Sequence, residues 1–154
     1  MNRVAAVLSP ERIRMGLPAV NKSQVLDEAG RLLATIEGLE ASQITASLAA
    51  RECLGSTGLG SGVAIPHARL QGLGQAVAAF IRLGFAVDFE APDGKPVSDV
   101  LVVLVPEQAT EEHLQLLAQA AEMFNDRRFR DHLHQQADAQ GVYQTFANWP
   151  MFVA

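Results

Sequence analysis

A single α/β domain spanning residues 1–154, with a mixed β-sheet flanked by helices, is the fold that three stretches of this chain predict. The run Val100–Val105 is six consecutive apolar residues stopped by Pro106, the pattern of a strand buried on both faces. Upstream, Val25, Leu26, Ala29, Leu32, Leu33 and Ile36 recur at helical spacing. Between them lies Gly55-Ser-Thr-Gly-Leu-Gly-Ser-Gly-Val-Ala-Ile-Pro-His67, a glycine-rich loop leading into a short apolar strand. Helical and strand periodicities that alternate along a chain build layered α/β architecture.

In chain order, residues 1–20 lack periodicity and are punctuated by Pro10 and Pro18, so a loosely structured lead-in with one short helical turn is expected, with Arg3, Arg12 and Arg14 as solvated charges. Asn21 is suited to cap a helix from Lys22 to Glu37 that ends at Gly38. A second helix, from Ser42 to Leu54, buries Ile44 and Leu48, and Gly55 stops it. Arg51 then falls in its last turn, beside the glycine loop. Ala76–Leu83 reads as a buried strand, and Pro92-Asp-Gly as a turn within a turn-rich connection, Asp88–Lys95. Thr110 caps a helix with Leu114, Leu117, Ala121 and Phe124 along its inner face and His113 in its first turn. Two short amphipathic helices, Asp126–His134 and Asp138–Trp149, pack Phe129, Leu133, Val142, Phe146 and Trp149.

The chemistry is concentrated around His67. Four glycines, at 55, 58, 60 and 62, free the backbone for positive φ and close approach. Val63–Ile65 reads as a strand ended by Pro66, which presents the His67 imidazole where α/β proteins place their ligands. The loop fits neither nucleotide pattern, because no Lys follows the glycines and a strand comes next. A lone histidine is most often a core residue bonded to a backbone carbonyl, and that reading stands beside the functional one. The same holds for Arg51 as a helix-end cation complementing the dipole, for His113 as a rim residue, and for Arg69 as an ordinary surface charge. Ser56, Thr57 and Ser61 suit either donation to an anion or turn formation. His132 and His134, two apart in a polar helix, are read as solvent-facing, since that spacing puts them on different helix faces and argues against a metal pair.

Composition narrows the classes further. The net charge is −5 with 19% charged residues, which offers no basic surface for nucleic acid. The single cysteine, Cys53, excludes an internal disulfide, suits a reducing cytoplasm and is read as a small buried hydrophobe. No apolar run approaches 18 residues and the N-terminus lacks a secretory pattern, so neither secretion nor membrane insertion is expected.

The stretch Arg51–His67, together with Val87-Asp-Phe-Glu-Ala-Pro-Asp-Gly, Leu104-Val-Pro-Glu and Glu111-Glu-His-Leu-Gln-Leu-Leu-Ala, strongly resembles the fructose/mannitol-type enzyme IIA domains of the bacterial phosphoenolpyruvate-dependent phosphotransferase system. Within them it looks most like the stand-alone nitrogen-regulatory enzyme IIA, which implies the expectation of no fused transporter, enzyme IIB or phosphocarrier segment. Ala68 departs from the pattern, adding a methyl where the family often has Gly. The resemblance implies that His67 carries phosphate, with Arg51, sixteen positions earlier, and His113 lining the site. It implies a cytoplasmic phosphocarrier without cofactor or metal. Its phosphodonor would be a small histidine phosphocarrier protein, its partners regulatory targets, and its association state monomer or weak dimer. The alternatives are a non-catalytic binding module acting through its unphosphorylated surface, the enzyme IIA component of sugar uptake, or, more weakly, a hydrolase using His67 as general base.

Overall fold

The computed structural model describes residues 2–36 and 38–151. Among these, six strands form one mixed sheet with helices on both faces. The elements run α1 (Arg3–Val7), β1 (Ile13–Leu17), α2 (Lys22–Leu33), α3 (Ala41–Glu52), β2 (Gly58–Gly60), β3 (Val63–Ala64), β4 (His67–Leu70), β5 (Val77–Val87), β6 (Val97–Pro106), α4 (Glu111–Asn125), α5 (Arg127–His134) and α6 (Ala139–Asn148). The sheet order is β1-β5-β6-β3-β2, and β4 also pairs with β6. Strand β6 is the spine: β5 lies antiparallel along one edge, while β3 and then β4 lie parallel along the other.

The apolar run of β6 is continuous because both of its faces are covered. Val100, Val102 and Leu104 join a core under α2 and α3, with Leu26, Leu33, Ile44 and Leu48. Leu101, Val103 and Val105 join a second core under α1 and α4–α6. There Phe80, Phe124, Phe129 and Phe146 meet edge to face, with centroids 5.1–5.9 Å apart. Such pairs add to the area they bury, and truncating one buried phenylalanine costs about 3–5 kcal/mol.

Several expectations are revised. The lead-in is not loose: α1, a 3-10 turn at Pro10–Arg12 and β1 occupy it, and β1 pairs parallel to β5. Nor is Arg12 a solvated charge. Its Nε donates to the Ala78 carbonyl and its Nη2 to that of Val7, each 3.0 Å away, and burial lowers its pKa against the raising influence of Glu11. Asn21 caps α2 as expected through the Gln24 N–H, but the helix ends at Leu33; Glu37, its expected last residue, lies outside the described residues. Cys53 is exposed, beyond the end of α3. The inner face of α4 is Leu116, Ala120, Met123 and, as expected, Phe124; Leu117 packs at the edge of this core, whereas Leu114 is exposed. His134 faces solvent only in part, its Nε2 lying 3.3 Å from the buried Asp99 carboxylate, which Arg82 also meets at 3.2 Å.

Candidate functional site

Pro66 interrupts the parallel edge of β6, dividing it into β3 and β4. His67 therefore opens a strand rather than closing one, paired with Val103. Across the interruption the Pro66 carbonyl still accepts the Val103 N–H at 2.9 Å, while the Ile65 carbonyl is turned toward the histidine. His67 Nδ1–H donates to that carbonyl at 2.9 Å. In the neutral ring this places the proton on Nδ1 and leaves the lone pair on Nε2.

Half-buried His67 lines a cavity of about 540 Å³ shared with Ser47, Arg51, Arg69, His113 and Leu114. Arg51 arrives from the last turn of α3, where Nη1 donates to the Gly55 carbonyl at 2.9 Å. His113 arrives from the first turn of α4. Its Nδ1 accepts the Thr110 backbone N–H at 2.9 Å, and the His113 backbone N–H donates to the Thr110 carbonyl at 3.0 Å, so side chain and backbone together tie residue 113 to the helix start. An acceptor Nδ1 puts the neutral-ring proton on Nε2. The two imidazoles are thus held in opposite tautomers, one offering a lone pair and the other an N–H. With two guanidiniums in the same wall, the cavity is suited to a dianionic group although the chain is acidic overall.

The close approach made by the glycine loop is to another part of the chain, not to the His67 cavity. None of residues 55–62 lines this cavity. The glycines build the β2–β3 hairpin and let it lie against the 88–95 connection: a Cβ at Gly58 would sit 2.8 Å from the Ala91 Cβ. Gly62, at φ +79°, turns the hairpin so that its carbonyl accepts the Ser98 and Asp99 N–H groups. Ser56 Oγ donates to the Phe89 carbonyl, Thr57 Oγ1 to Glu52, and the Ser61 N–H to Asp93, so all three take turn-forming roles. The Ala68 methyl joins the core beneath β4. Sequence reasoning missed the Ile65 carbonyl, whose only signal was its place before Pro66, and Leu114 as a cavity residue. Among the described residues no group of three or more His, Cys, Asp or Glu is placed to hold a metal, and no helix is long and apolar enough to cross a membrane.

An open mixed sheet flanked by helices is the fold of the enzyme IIA class. Residues 6–149 match the family described as phosphoenolpyruvate-dependent sugar phosphotransferase system, EIIA 2, and the chain belongs to it. Within that family it is similar to the nitrogen regulatory protein of Pseudomonas aeruginosa, 43% identical over 145 residues that cover 94% of each chain. The nitrogen regulatory protein of Bradyrhizobium diazoefficiens is 36% identical, covering 98% of this chain and 99% of that one. The crystal structure of the nitrogen regulatory protein IIA-Ntr from Neisseria meningitidis superposes with a TM-score of 0.88 at 42% identity, covering 94% of this chain and 99% of that one. The mannitol IIA of Escherichia coli, at 20% identity and a TM-score of 0.72 over 89% of this chain and 96% of that one, shares the fold.

Proposed function

We propose that the protein is a cytoplasmic phosphocarrier that takes a phosphoryl group onto His67 Nε2 from the phosphohistidine of a small histidine phosphocarrier protein. The observation that carries this reading is the bond from His67 Nδ1–H to the Ile65 carbonyl, which leaves the Nε2 lone pair free in a cavity lined by Arg51 and His113. In-line attack forms the N–P bond at Nε2 as the donor's N–P bond breaks, and the donor ring, an imidazolium protonated on its other nitrogen while phosphorylated, leaves as neutral imidazole. The proton stays on His67 Nδ1, where the Ile65 carbonyl stabilises the positive charge the ring acquires. The dianionic phosphoryl group is met by the Arg51 guanidinium and the His113 Nε2–H. Because the exchange is between two imidazoles, catalysis is mainly positioning and electrostatics, and transfer is reversible.

The cavity mouth suits a protein donor. Leu54 and Leu114 stand on its rim 84% and 59% exposed, an apolar surface around a cationic centre. The relatives named nitrogen regulatory proteins support a regulatory use, in which the phosphorylation state of His67 selects the partner. Incubation with phosphoenolpyruvate, enzyme I and the phosphocarrier, followed by intact mass and peptide mapping, is the test. One acid-labile phosphate on His67 is expected; no phosphate, or phosphate on another histidine, rejects the reading.

A further inference from the structure

Arg51 and Glu52 are consecutive on the last turn of α3 but point into different cavities. Arg51 lines the one with His67; Glu52 lines another, of about 500 Å³, with Lys22, Ser56 and Glu90. Glu52 is only 8% exposed, an environment in which a carboxylate must be well bonded. Its Oε2 accepts the Thr57 backbone N–H and the Lys22 Nζ–H, both at 3.0 Å, and its Oε1 accepts the Thr57 hydroxyl at 2.6 Å. Glu90 lies 3.6 Å from Lys22 on the far side. Two of these bonds close residues 52–57 into a tight loop. Inside it, the Gly55 N–H donates to the Glu52 carbonyl at 3.2 Å and the Gly55 carbonyl receives Arg51 Nη1.

Glu52 thus holds the loop whose carbonyl holds the cavity arginine. Resting on the phosphocarrier reading above, we propose that Glu52 is a positioning residue for phosphoryl transfer: through Thr57 it fixes the Gly55 carbonyl, and through that carbonyl the Arg51 guanidinium beside His67. An arginine has many rotamers of similar energy, and a tether on one Nη leaves the remaining N–H groups aimed at the incoming phosphoryl group without paying their ordering entropy during transfer.

The test is a double-mutant cycle read by single-turnover phosphorylation. Glu52→Gln removes the charge and one acceptor while keeping the shape. It should slow transfer to His67 about tenfold or more with phosphodonor affinity unchanged, in line with the usual effect of disturbing a supporting hydrogen bond. In the Arg51→Ala background the same change should alter the rate by less than about twofold, because the residue it acts through is gone. Equal slowing in both backgrounds overturns the proposal, since the effect would then belong to the scaffold. Should Glu52→Gln fail to fold, Thr57→Val and Thr57→Ser decide: slowing by Val with recovery by Ser supports the tether, and equal rates overturn it. Should the wild-type protein take no phosphate on His67, the phosphocarrier reading falls while the positioning claim is still measured by NMR. Faster exchange of the Thr57 amide together with loss of a slowly rotating, distinct Arg51 Nη1–H signal in Glu52→Gln supports it, and an unchanged Arg51 signal overturns it.

Discussion

His67 Nδ1–H donates to the Ile65 carbonyl two residues earlier, at 2.9 Å. A strand residue would ordinarily give that carbonyl to its neighbour in the ladder, but the Pro66 interruption frees it. In the phosphocarrier reading, this bond selects which ring nitrogen reacts. Phosphate is therefore expected on Nε2, readable by ¹⁵N–³¹P correlation NMR of the phosphoprotein. His67→Ala should keep its thermal transition and accept no phosphate; a Nδ1 adduct would contradict the geometry.

For His113 the same logic separates stability from rate. The ring closes the capping arrangement on Thr110, and the residue lines the cavity. Glutamine at the third helical position is an established capping partner. Accordingly, His113→Gln should unfold within about 0.5 kcal/mol of the wild type, whereas His113→Ala should lose about 1 kcal/mol, a typical capping contribution. Both should slow phosphorylation, because neither places a rigid imidazole N–H in the cavity. Urea denaturation and single-turnover rates measured on the same samples check this, and wild-type rates in both would make His113 purely structural.

Asp93 should make the glycine hairpin sensitive to acid. The Ser61 backbone N–H, followed by that of Lys95, lowers its pKa below the ordinary carboxylate value. A depressed native pKa means that the carboxylate adds stability above the unfolded-state pKa, and that this is lost as pH falls through the native one. The stability difference between the wild type and Asp93→Asn should thus be constant near neutrality, shrink as pH drops below the usual carboxylate range, and vanish beneath the native pKa. Chemical denaturation at a series of pH values reads it; a pH-independent difference would contradict the assignment.

Asp99 is a buried charge whose partners come from other elements. Arg82 reaches it from β5 and His134 from the end of α5, and Arg82 also donates to the Leu133 and Gln136 carbonyls. Removing one member leaves the others desolvated, so Asp99→Ala should cost about 3 kcal/mol in urea denaturation. A loss below about 0.5 kcal/mol would mean that water replaces the carboxylate freely.

The apolar run of β6 was legible because a strand covered on both faces has no polar alternation to obscure it. By contrast β1, Ile13-Arg-Met-Gly-Leu, offers five residues with a charge and a glycine inside, and its place in the sheet comes from pairing with β5 rather than from its own pattern. In α4 two apolar stripes exist, and periodicity alone cannot say which faces the core. The inner one is Leu116, Ala120, Met123 and Phe124, while Leu114 and Leu117 border the His67 cavity. At the site, His67, Arg51 and His113 were singled out with the help of the family resemblance, and all three line one cavity. The work of the glycines was not legible, since closeness to the 88–95 connection is a tertiary fact. The Asp99 cluster left no local trace for the same reason.

The sharpest separation between phosphocarrier and pure binding module lies at Arg51. In a phosphocarrier its guanidinium would meet a phosphoryl group bearing about two negative charges only once transfer begins, so its interaction would strengthen along the reaction. Arg51→Ala should slow phosphorylation more than it weakens donor docking. Loss of one well-placed charge-assisted contact in a transition state typically costs about 2–4 kcal/mol, or roughly a hundredfold in rate. Lysine should restore only part of this, because a point charge cannot bond the Gly55 carbonyl and meet the phosphoryl oxygens with the same planar fork. In a binding module there is no transition state to serve, and Arg51→Ala would change partner affinity alone. Single-turnover rates for Arg51→Ala and Arg51→Lys, set beside phosphodonor affinity, make the distinction. A rate within about twofold of the wild type corresponds to well under 1 kcal/mol and would remove Arg51 from the chemistry.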